Sequence, residues 1–348
     1  MLATDEFQPG LARRILRQNG WLAGFVVFHS LVAIWIAARV GVTMENDIMP
    51  ALTVILGTLT PCFLVVVMLF RMARAAIYEK PNSPLAWLLS DIRTKLGDAV
   101  ALGTGALRLL LIVQFTTTFT ALKALMPDLA PFQWDPFLAD LDLAIHFGRD
   151  PWVYLTPLLN TPWAVTAVNA AYHLWILLVY FLVFLACFSR ARPRAATTFL
   201  LAYVIAFAIG GNLLATVLSS AGPVYYQPLG LGERFVPLIE ALHRAAETSP
   251  VWALPLQDAL WAGYQGQGGF VGISAMPSMH VATATLMAIY GFTYARWAGW
   301  ALSLFAAAIM LGSVLLGWHY AIDGYAGAAL AIIVWALATR LVEKTGAN

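Results

Sequence analysis

The chain has 348 residues, of which 61% are hydrophobic and only 11% are charged, and its mean hydropathy is +0.76. Soluble domains carry about 25% charged residues, so this composition excludes a soluble globular protein. The formal net charge of +2 gives no support to nucleic-acid binding, and the expected partners are a membrane and its lipids.

Eight apolar segments have the length of about 20 residues that a bilayer requires. The predicted fold class is therefore an all-α integral membrane protein. We predict membrane helices at 20–41, 50–72, 99–122, 163–188, 197–219, 277–295, 299–317 and 323–342. The basic cluster at Arg13, Arg14 and Arg17 precedes an apolar run of span length, which is longer than the apolar core of a cleavable signal peptide.

The Lys and Arg residues predict the orientation. With the N-terminus in the cytoplasm, 14 of the 20 Lys and Arg residues fall in cytoplasmic segments, as the positive-inside rule requires. Five fall on the outer side, and Arg108 lies within the third span, where a charge is a functional candidate by default. Both termini are then cytoplasmic. An alanine- and arginine-rich chain without eukaryotic sorting signals favours a bacterial inner membrane, with the outer side facing the periplasm.

Two long segments are predicted on the outer side. In residues 123–162, the spacing of Leu138, Leu141, Ile145 and Phe147 predicts a short amphipathic helix on the membrane surface. Residues 220–276 are rich in Gly and Pro and end in Gly266-Gln267-Gly268-Gly269, which predicts a lid or an interfacial loop. On the cytoplasmic side, residues 75–98 predict a surface helix.

Two short motifs near the C-terminus contain the main candidates for catalytic side chains in the apolar part of the chain. Pro277-Ser278-Met279-His280 begins the sixth predicted span, and Pro277 suits a first helical turn. A helix start binds anions through its free N–H groups, and Ser278 would add a hydroxyl donor. His319 ends the seventh span on the same side of the membrane. Asp323 follows four residues later, on the same face if that turn is helical.

These residue types suit phosphoryl transfer. A carboxylate beside an imidazole fixes its tautomer and raises its basicity, which favours His319 as a nucleophile. His280 would protonate the leaving oxygen and then activate the acceptor. Three plainer interpretations remain open: interfacial histidines, Asp323 as an N-cap, and a His/His/Asp zinc site. We expect neither a metal nor another cofactor.

The two motifs resemble those of the type 2 phosphatidic acid phosphatase superfamily. Met276-Pro277-Ser278-Met279-His280 is similar to its Pro-Ser-Gly-His motif, and His319 with Asp323 matches its last motif, His-x-x-x-Asp. The resemblance implies that His319 carries a phosphohistidine, that Asp323 orients it, and that His280 is the general acid and base. It also implies a six-helix core, here spans three to eight in residues 99–342, preceded by two accessory helices in residues 1–98.

Three cations of the superfamily motifs are absent. Gly312 and Ser313 stand where the last motif begins Ser-Arg, and Ala215 and Gly222-Pro223 stand where the first motif, Lys-x6-Arg-Pro, would lie. Simple phosphomonoesterase activity is therefore not the first expectation.

Replacement groups are available on the outer side. We predict Lys123 and Arg149 as phosphate-binding cations, with a snorkelling interface lysine as the alternative for Lys123. Tyr225 and Tyr226 are predicted either to line a head-group pocket or to belong to the aromatic belt of the membrane.

The sequence at the positions that differ from the superfamily motifs resembles one branch of the superfamily, the inositol phosphorylceramide synthases and their bacterial relatives. The pattern of that branch includes Gly-Pro-x-Tyr-Tyr, here residues 222–226, and Trp-His-Tyr-x-x-Asp, here residues 318–323. Segments around Trp134-Asp135, Asp142 and Gly148–Trp152 are also similar. The resemblance covers roughly residues 110–342.

The expected function is transfer of a phosphate-containing head group between lipids through a phosphohistidine on the extracytoplasmic side. A phosphatase acting on phosphatidic acid or an isoprenoid phosphate is the first alternative. A non-catalytic lipid transporter that uses His280, His319 and Asp323 as a relay is the second, although the chain lacks the inverted repeats of many transporters. The sequence predicts neither the identity of the lipid nor the oligomeric state.

Overall fold

A computed structural model describes residues 9–42, 48–268 and 272–344, and all regular secondary structure in these ranges is helical. Gly269 of the predicted lid and the side chains of Arg13, Arg14, Arg17 and Lys95 lie outside the described part.

Within these ranges the chain forms seventeen α-helices. The first five are α1 (Pro9–Val40), α2 (Met49–Val54), α3 (Thr60–Arg74), α4 (Pro84–Leu96) and α5 (Ala99–Ala124), and π-helical turns at Ile55–Leu59 and Ala75–Glu79 flank α3. A head segment follows with α6 (Met126–Leu129), α7 (Asp135–Ile145), α8 (Pro151–Tyr154) and α9 (Thr156–Leu159). Next come α10 (Pro162–Cys187), α11 (Pro193–Ala206), a π-helix at Phe207–Leu214 and α12 (Ala215–Val217). A second head segment holds a 3₁₀ turn at Pro223–Tyr225, α13 (Val236–Ala246) and α14 (Ala253–Tyr264), before α15 (Met279–Tyr294), α16 (Arg296–Leu315) and α17 (Ala321–Lys344).

Seven helical stretches in the described ranges are long and apolar enough to cross a membrane, which confirms a multi-pass membrane protein. They are Gln18–Val40, Leu52–Glu79, Ala99–Ala124, Pro162–Cys187, Pro193–Val217, Arg296–Leu315 and Ala321–Lys344. Each corresponds to one of the predicted spans. The remaining predicted span, 277–295, is α15, a helix of only 16 residues. Most of α15 is buried against α16 and α17, so contact with lipid does not set its length.

Burial separates a central helix from a peripheral one. In Pro193–Val217, 61% of the most apolar stretch is buried, whereas the figure for Leu52–Glu79 is 6%. Leu64, Leu69 and Phe70 of the latter helix are largely exposed, as expected of side chains that face lipid. The helix around α11 is therefore the centre of the bundle, and α2 and α3 lie at its edge.

A buried hydrogen-bond network attaches α1 to the central helices. Arg108 of α5 donates from Nε to Asn19 Oδ1 over 2.8 Å and from Nη2 to Thr197 Oγ1 over 2.6 Å, and it also donates to the Ala186 carbonyl. His29 of α1 contacts Asn212 Oδ1 at 3.0 Å. The partners of Arg108 belong to three helices, α1, α10 and α11, so this side chain of α5 holds four helices together.

The head segments are more ordered than the sequence predicted. The amphipathic helix expected in residues 123–162 is α7, with Phe137 and Ile145 exposed but Leu138 buried against protein. The segment predicted as a lid or loop contains α13 and α14. Leu238, Leu242 and Ala245 of α13 bury one face at helical spacing, a pattern that the surrounding Gly and Pro residues obscured.

Candidate active site

The two histidines of the sequence motifs meet at one end of the bundle. His280 is the second residue of α15, and His319 lies in the turn between α16 and α17. Their ring centroids are 5.9 Å apart. The start of α15 and the first turns of α17 lie very close together, because Gly327 packs against the carbonyl of Ser278 and leaves no room for a side chain at position 327.

The tautomer of His319 follows from its hydrogen bond. The Nδ1 atom lies 2.8 Å from the Ala275 carbonyl oxygen, and a carbonyl oxygen can only accept. Nδ1 must therefore carry a hydrogen, and in the neutral imidazole this leaves the lone pair on Nε2. The backbone N–H of His319 donates to the Ser313 carbonyl over 3.0 Å, so the main chain and the ring are both held. A fixed imidazole with a free Nε2 is the arrangement that a nucleophilic histidine needs.

Asp323 lies beside His319 and also caps α17. Its Oδ2 accepts the Tyr320 N–H at 2.9 Å, which resembles the reciprocal contact of a capping box. The same oxygen is 3.6 Å from His319 Nδ1, beyond hydrogen-bond distance. Its Oδ1 is buried and has no hydrogen-bond partner within the described part of the chain. The carboxylate thus provides negative charge next to the imidazole, while the Ala275 carbonyl is the direct acceptor.

His280 is packed against two aromatic rings of α10. Tyr172 stacks on it with a centroid distance of 4.5 Å, and the Trp175 ring lies 4.1 Å away. Trp175 is fixed by an Nε1–H donated to Thr283 over 2.8 Å. Gly312 permits this packing, because a Cβ at that position would lie 2.8 Å from the Tyr172 ring. The glycine that replaces a superfamily motif residue therefore makes room for the ring that holds His280.

Ser278 forms the N-cap of α15. Its Oγ accepts from the Val281 N–H at 3.4 Å, and the residue is fully buried. Pro277 precedes this cap, so it is not in the first helical turn as the sequence predicted. The helix begins at Met279, which keeps His280 in its first turn. Phosphate binding by the Ser278 hydroxyl stays a prediction.

Lys123 is the cation that the structure places near the histidines. It lies in the last turn of α5, its stem packs against Gly272, and its charge interacts with His280. Arg149 instead lies exposed after α7, and no hydrogen bond joins its guanidinium to any described residue. Phosphate binding by either residue stays a prediction.

The two predicted tyrosines point into different parts of the head. Tyr225 is buried, donates its hydroxyl to the Gln257 carbonyl over 3.0 Å and stacks on Trp261. Tyr226 is buried against Phe235. Both side chains lie inside the protein, so they do not form an exposed aromatic belt.

Sequence reasoning did not select the two aspartates of α7 as site residues, yet they hold the site together. Asp142 is buried and accepts the N–H groups of Ala321 and Ile322 at 2.8 and 3.0 Å. Asp135 lies seven residues earlier, two turns along the same helix face. The resemblance of these segments to one branch of a family was the only sequence signal for them.

Asp135 holds the other side of the site. It accepts the N–H groups of Ala221 and Gly222 at 2.9 and 2.8 Å, and the Tyr320 hydroxyl at 2.9 Å. Burial raises the pKa of Asp135, whereas the hydrogen bonds from the backbone lower it. Burial and then the Asp135 carboxylate raise the pKa of Tyr320, so the phenol keeps its proton and donates.

Gly222 is required where the Asp135 carboxylate meets the turn before His319. Its φ is +97°, a conformation that favours glycine. A Cβ there would also collide with the Trp318 carbonyl oxygen. Next to it, the Val224 N–H donates to the Gly317 carbonyl over 2.9 Å. The segment Gly-Pro-x-Tyr-Tyr, residues 222–226, therefore holds the turn that carries His319 in place.

The space beside His319 is small. A cavity of about 10 Å³ is lined by residues of α7, α8, both head segments and the His319 turn, including Asp142, Trp152, Pro223, Phe235 and His319. This volume suits about one water molecule. A lipid phosphate must therefore displace neighbouring side chains to reach the His319 ring from this side.

Replacing Asp142 with asparagine is expected to lower both stability and turnover. Asparagine has one acceptor oxygen for two N–H groups, so it loses one charge-assisted hydrogen bond and weakens the other, on the order of 2 kcal/mol. Thermal unfolding in detergent and kcat measure the two effects. The matched control is Asp140→Asn, because Asp140 is exposed on the same helix and pairs with Arg234; its expected effect is under about 1 kcal/mol. Equal effects of the two substitutions would contradict the role assigned to Asp142.

These features define a multi-pass α-helical membrane protein with an imidazole pair suited to phosphate-ester chemistry. In the described ranges no cluster of three or more His, Cys, Asp and Glu residues is arranged to hold a metal ion. The PAP2 superfamily matches residues 136–337, more than half of the chain. The protein therefore belongs to the PAP2 superfamily, and membership supports lipid chemistry of the phosphatase or phosphotransferase type. No curated protein and no solved structure gives a significant match.

Proposed function

We propose that the protein transfers a phosphate-containing head group from one lipid to another through a phosphohistidine on His319. The observation that carries this proposal is the fixed tautomer of His319, whose Nε2 is left unprotonated by the Nδ1–H bond to Ala275. His280 is the second group, with its ring 5.9 Å from that of His319.

The proposed reaction has two balanced steps. In the first, His319 Nε2 attacks the donor phosphorus, the bond from phosphorus to the leaving oxygen breaks, and His280, which holds a proton while the anionic phosphate lies beside it, gives that proton to the leaving oxygen. In the second, the acceptor hydroxyl loses its proton to His280 and attacks the phosphohistidine, which restores both imidazoles. Asp323, 3.6 Å from Nδ1, stabilises the positive charge that His319 gains during attack.

The charge around the histidines favours a phosphodiester donor. A phosphomonoester carries up to two negative charges near pH 7, and more cations would be needed to hold it. Ser313, at a position where the superfamily motif has arginine, is fully buried and donates to the Ile309 carbonyl. Among the described residues, Lys123 is the Lys or Arg whose charge acts on His280. One positive charge suits the single negative charge of a diester phosphate.

The finer assignment within the superfamily is also a proposal. The similarity of residues 222–226 and 318–323 to the inositol phosphorylceramide synthase branch supports phosphatidylinositol as a donor and a ceramide or diacylglycerol as an acceptor. The distribution of Lys and Arg supports an orientation with the histidines on the extracytoplasmic side, and the alanine- and arginine-rich composition supports a bacterial inner membrane.

One observation favours a second candidate function, a lipid phosphate phosphatase. The cavity at His319 is large enough for about one water molecule. Water in that position would resolve the phosphohistidine and release inorganic phosphate.

A product assay separates the two functions. The purified protein would be given labelled phosphatidylinositol, phosphatidylethanolamine or phosphatidic acid in liposomes, each with and without ceramide or diacylglycerol. Head-group transfer predicts a new labelled phospholipid whose amount depends on the acceptor lipid. Release of free phosphate, unaffected by the acceptor, would move the protein to the phosphatase class.

A further inference from the structure

Helix α1 reaches the catalytic end of the bundle through a buried histidine. His29 is 5% exposed, and its ring packs against that of Phe115 with a centroid distance of 4.7 Å. Its Nδ1 lies 3.1 Å from Thr118 Oγ1, and its Nε2 lies 3.0 Å from Asn212 Oδ1. An ionisable side chain inside a membrane is costly and is a functional candidate by default. The proposed reaction does not use this imidazole directly.

The hydrogen positions between His29 and Asn212 follow from a backbone contact. Asn212 Nδ2 donates to the Phe119 carbonyl over 3.3 Å. Because a carbonyl oxygen can only accept, the amide is oriented with its Oδ1 toward His29. His29 Nε2 must therefore carry a hydrogen and donate it to Asn212. The carboxamide of Asn212 thus joins α1 and α5 to the helix that continues α11.

The π-helix Phe207–Leu214 carries Asn212 and packs on the start of α15. π-Helical turns within α-helices are frequent at functional sites. In this π-helix, a Cβ at Gly210 would lie 2.8 Å from the Met279 sulfur and 3.4 Å from the Pro277 ring. Such distances leave no room for a side chain unless its neighbours move. The backbone of the π-helix therefore contacts the residues that begin α15 directly.

The path from His29 to His280 is short. Asn212 is separated from Gly210 by one residue. Met279, which packs on Gly210, directly precedes His280 in α15. A shift of the π-helix therefore moves the first turn of α15, and with it the imidazole that lies 5.9 Å from the ring of the nucleophile. A misplacement of about 1 Å in a reacting group can cost about 10²-fold in rate.

A second buried attachment of α1 provides a comparison. Asn19 accepts a hydrogen bond from Arg108 over 2.8 Å. Arg108 precedes Thr118 by ten residues in α5, which is about 15 Å along the helix. The hydrogen-bond partners of Arg108 lie on α1, α10 and α11, and none of them belongs to the π-helix or to the first turn of α15. This attachment holds α1 without reaching the catalytic end.

We propose that His29 and Asn212 are positioning residues for His280, and that the accessory helix α1 thereby contributes to catalysis. Helix α1 lies outside residues 136–337, the part of the chain that the superfamily matches. The inference rests on the proposed function for the role of His280 in proton transfer. His29 acts through Asn212 and the π-helix on the first turn of α15. Its removal loosens that turn and slows the step that needs His280, without weakening donor binding.

Single-turnover release of the leaving group by His29→Ala tests the inference with two donors. Phosphatidylinositol leaves a lipid alcohol, which His280 must protonate, whereas inositol p-nitrophenyl phosphate leaves a nitrophenolate, which needs little protonation. We expect the rate to fall about 10- to 100-fold with phosphatidylinositol and about threefold or less with the nitrophenyl donor. The half-saturating concentration of phosphatidylinositol should stay within about twofold of the wild-type value. His29→Gln keeps an N–H within reach of Asn212, so it should restore most of the rate.

Hydrogen exchange in detergent, followed by mass spectrometry, gives a readout that does not require turnover. We expect the amides of residues 279–286 to exchange faster in His29→Ala than in the wild type. Asn19→Ala is the matched control, because it removes the other attachment of α1; it should leave both this exchange and the single-turnover rate within about twofold of the wild type. Both variants should lower the thermal unfolding midpoint by a few degrees, so stability alone does not separate them. Asn212→Leu removes the acceptor of His29 and gives a second reading, should His29→Ala fail to fold.

Three results would overturn the inference. They are unchanged exchange of residues 279–286 in His29→Ala, equal rate losses with the two donors, and equal effects of His29→Ala and Asn19→Ala on the rate. Failure of the proposed function gives a different result, because the wild-type protein then turns over neither donor. In that case the exchange comparison alone decides whether His29 holds the first turn of α15.

Discussion

Replacing His319 with alanine is expected to abolish turnover, by at least about 10⁴-fold in kcat. Its Nε2 is the unprotonated imidazole nitrogen that the hydrogen bond to Ala275 leaves available. Without this nitrogen, no protein atom can hold the transferred phosphorus covalently in the proposed reaction. Rapid-quench labelling with a ³²P-labelled donor lipid measures the same step directly, since the wild type should carry acid-labile, alkali-stable label and the variant none.

The control for this substitution is a measurement of fold. The Nδ1–H of His319 is a single buried hydrogen bond, so we expect the thermal unfolding midpoint of His319→Ala to fall by only a few degrees. Asp140→Asn, handled in parallel, should keep both label and turnover. Label on the His319→Ala protein at wild-type level would place the nucleophile elsewhere. If the wild-type protein turns over the donor lipid but carries no label, the transfer is direct and has no covalent intermediate.

Replacing His280 with glutamine is expected to slow turnover about 10²–10⁴-fold when the leaving group is a lipid alcohol. The amide fills part of the space between Tyr172 and Trp175, but it cannot give up a proton. A donor with a nitrophenolate leaving group needs little protonation, so with that donor the loss should shrink to about tenfold or less. The ratio of the two losses, measured by initial rates, reports general-acid catalysis specifically.

Two results would contradict this role. If His280→Gln loses the same factor with both donors, His280 positions the phosphate and does not protonate the leaving group. If it loses nothing with either donor, the acid is another residue. His319→Ala is the control for the artificial donor, because it should be inactive toward both substrates.

The meeting of the two histidine motifs was predictable because it depends on topology and helix length. Apolar runs place the start of the sixth span and the end of the seventh at the same face, and the structure brings His280 and His319 to 5.9 Å. The spacing of His319 and Asp323 was equally visible. These are periodic features, and periodicity is what a membrane sequence shows most clearly.

The groups that support the histidines were less accessible to sequence reasoning. The direct acceptor for His319 is a backbone carbonyl, at Ala275, and any residue type could provide it. Asp135 and Asp142 accept hydrogen bonds from backbone N–H groups that lie 87 and 179 positions away, and no local pattern reveals such pairs. The helices α13 and α14 were missed because Gly and Pro dominate their connections.

The short length of α15 has a consequence for the membrane around the protein. Sixteen residues of α-helix rise only about 24 Å, whereas the hydrocarbon layer is about 30 Å thick. With Arg296 and Trp297 placed at the opposite interface by the positive-inside rule, we expect His280 to lie several ångströms beneath the plane of the lipid phosphates. Because α15 is buried against the longer helices α16 and α17, the bilayer need not thin around it, and the donor lipid has to sink to meet the imidazoles. We therefore expect the acyl-chain length of the donor to affect activity, independently of the chemistry of its head group.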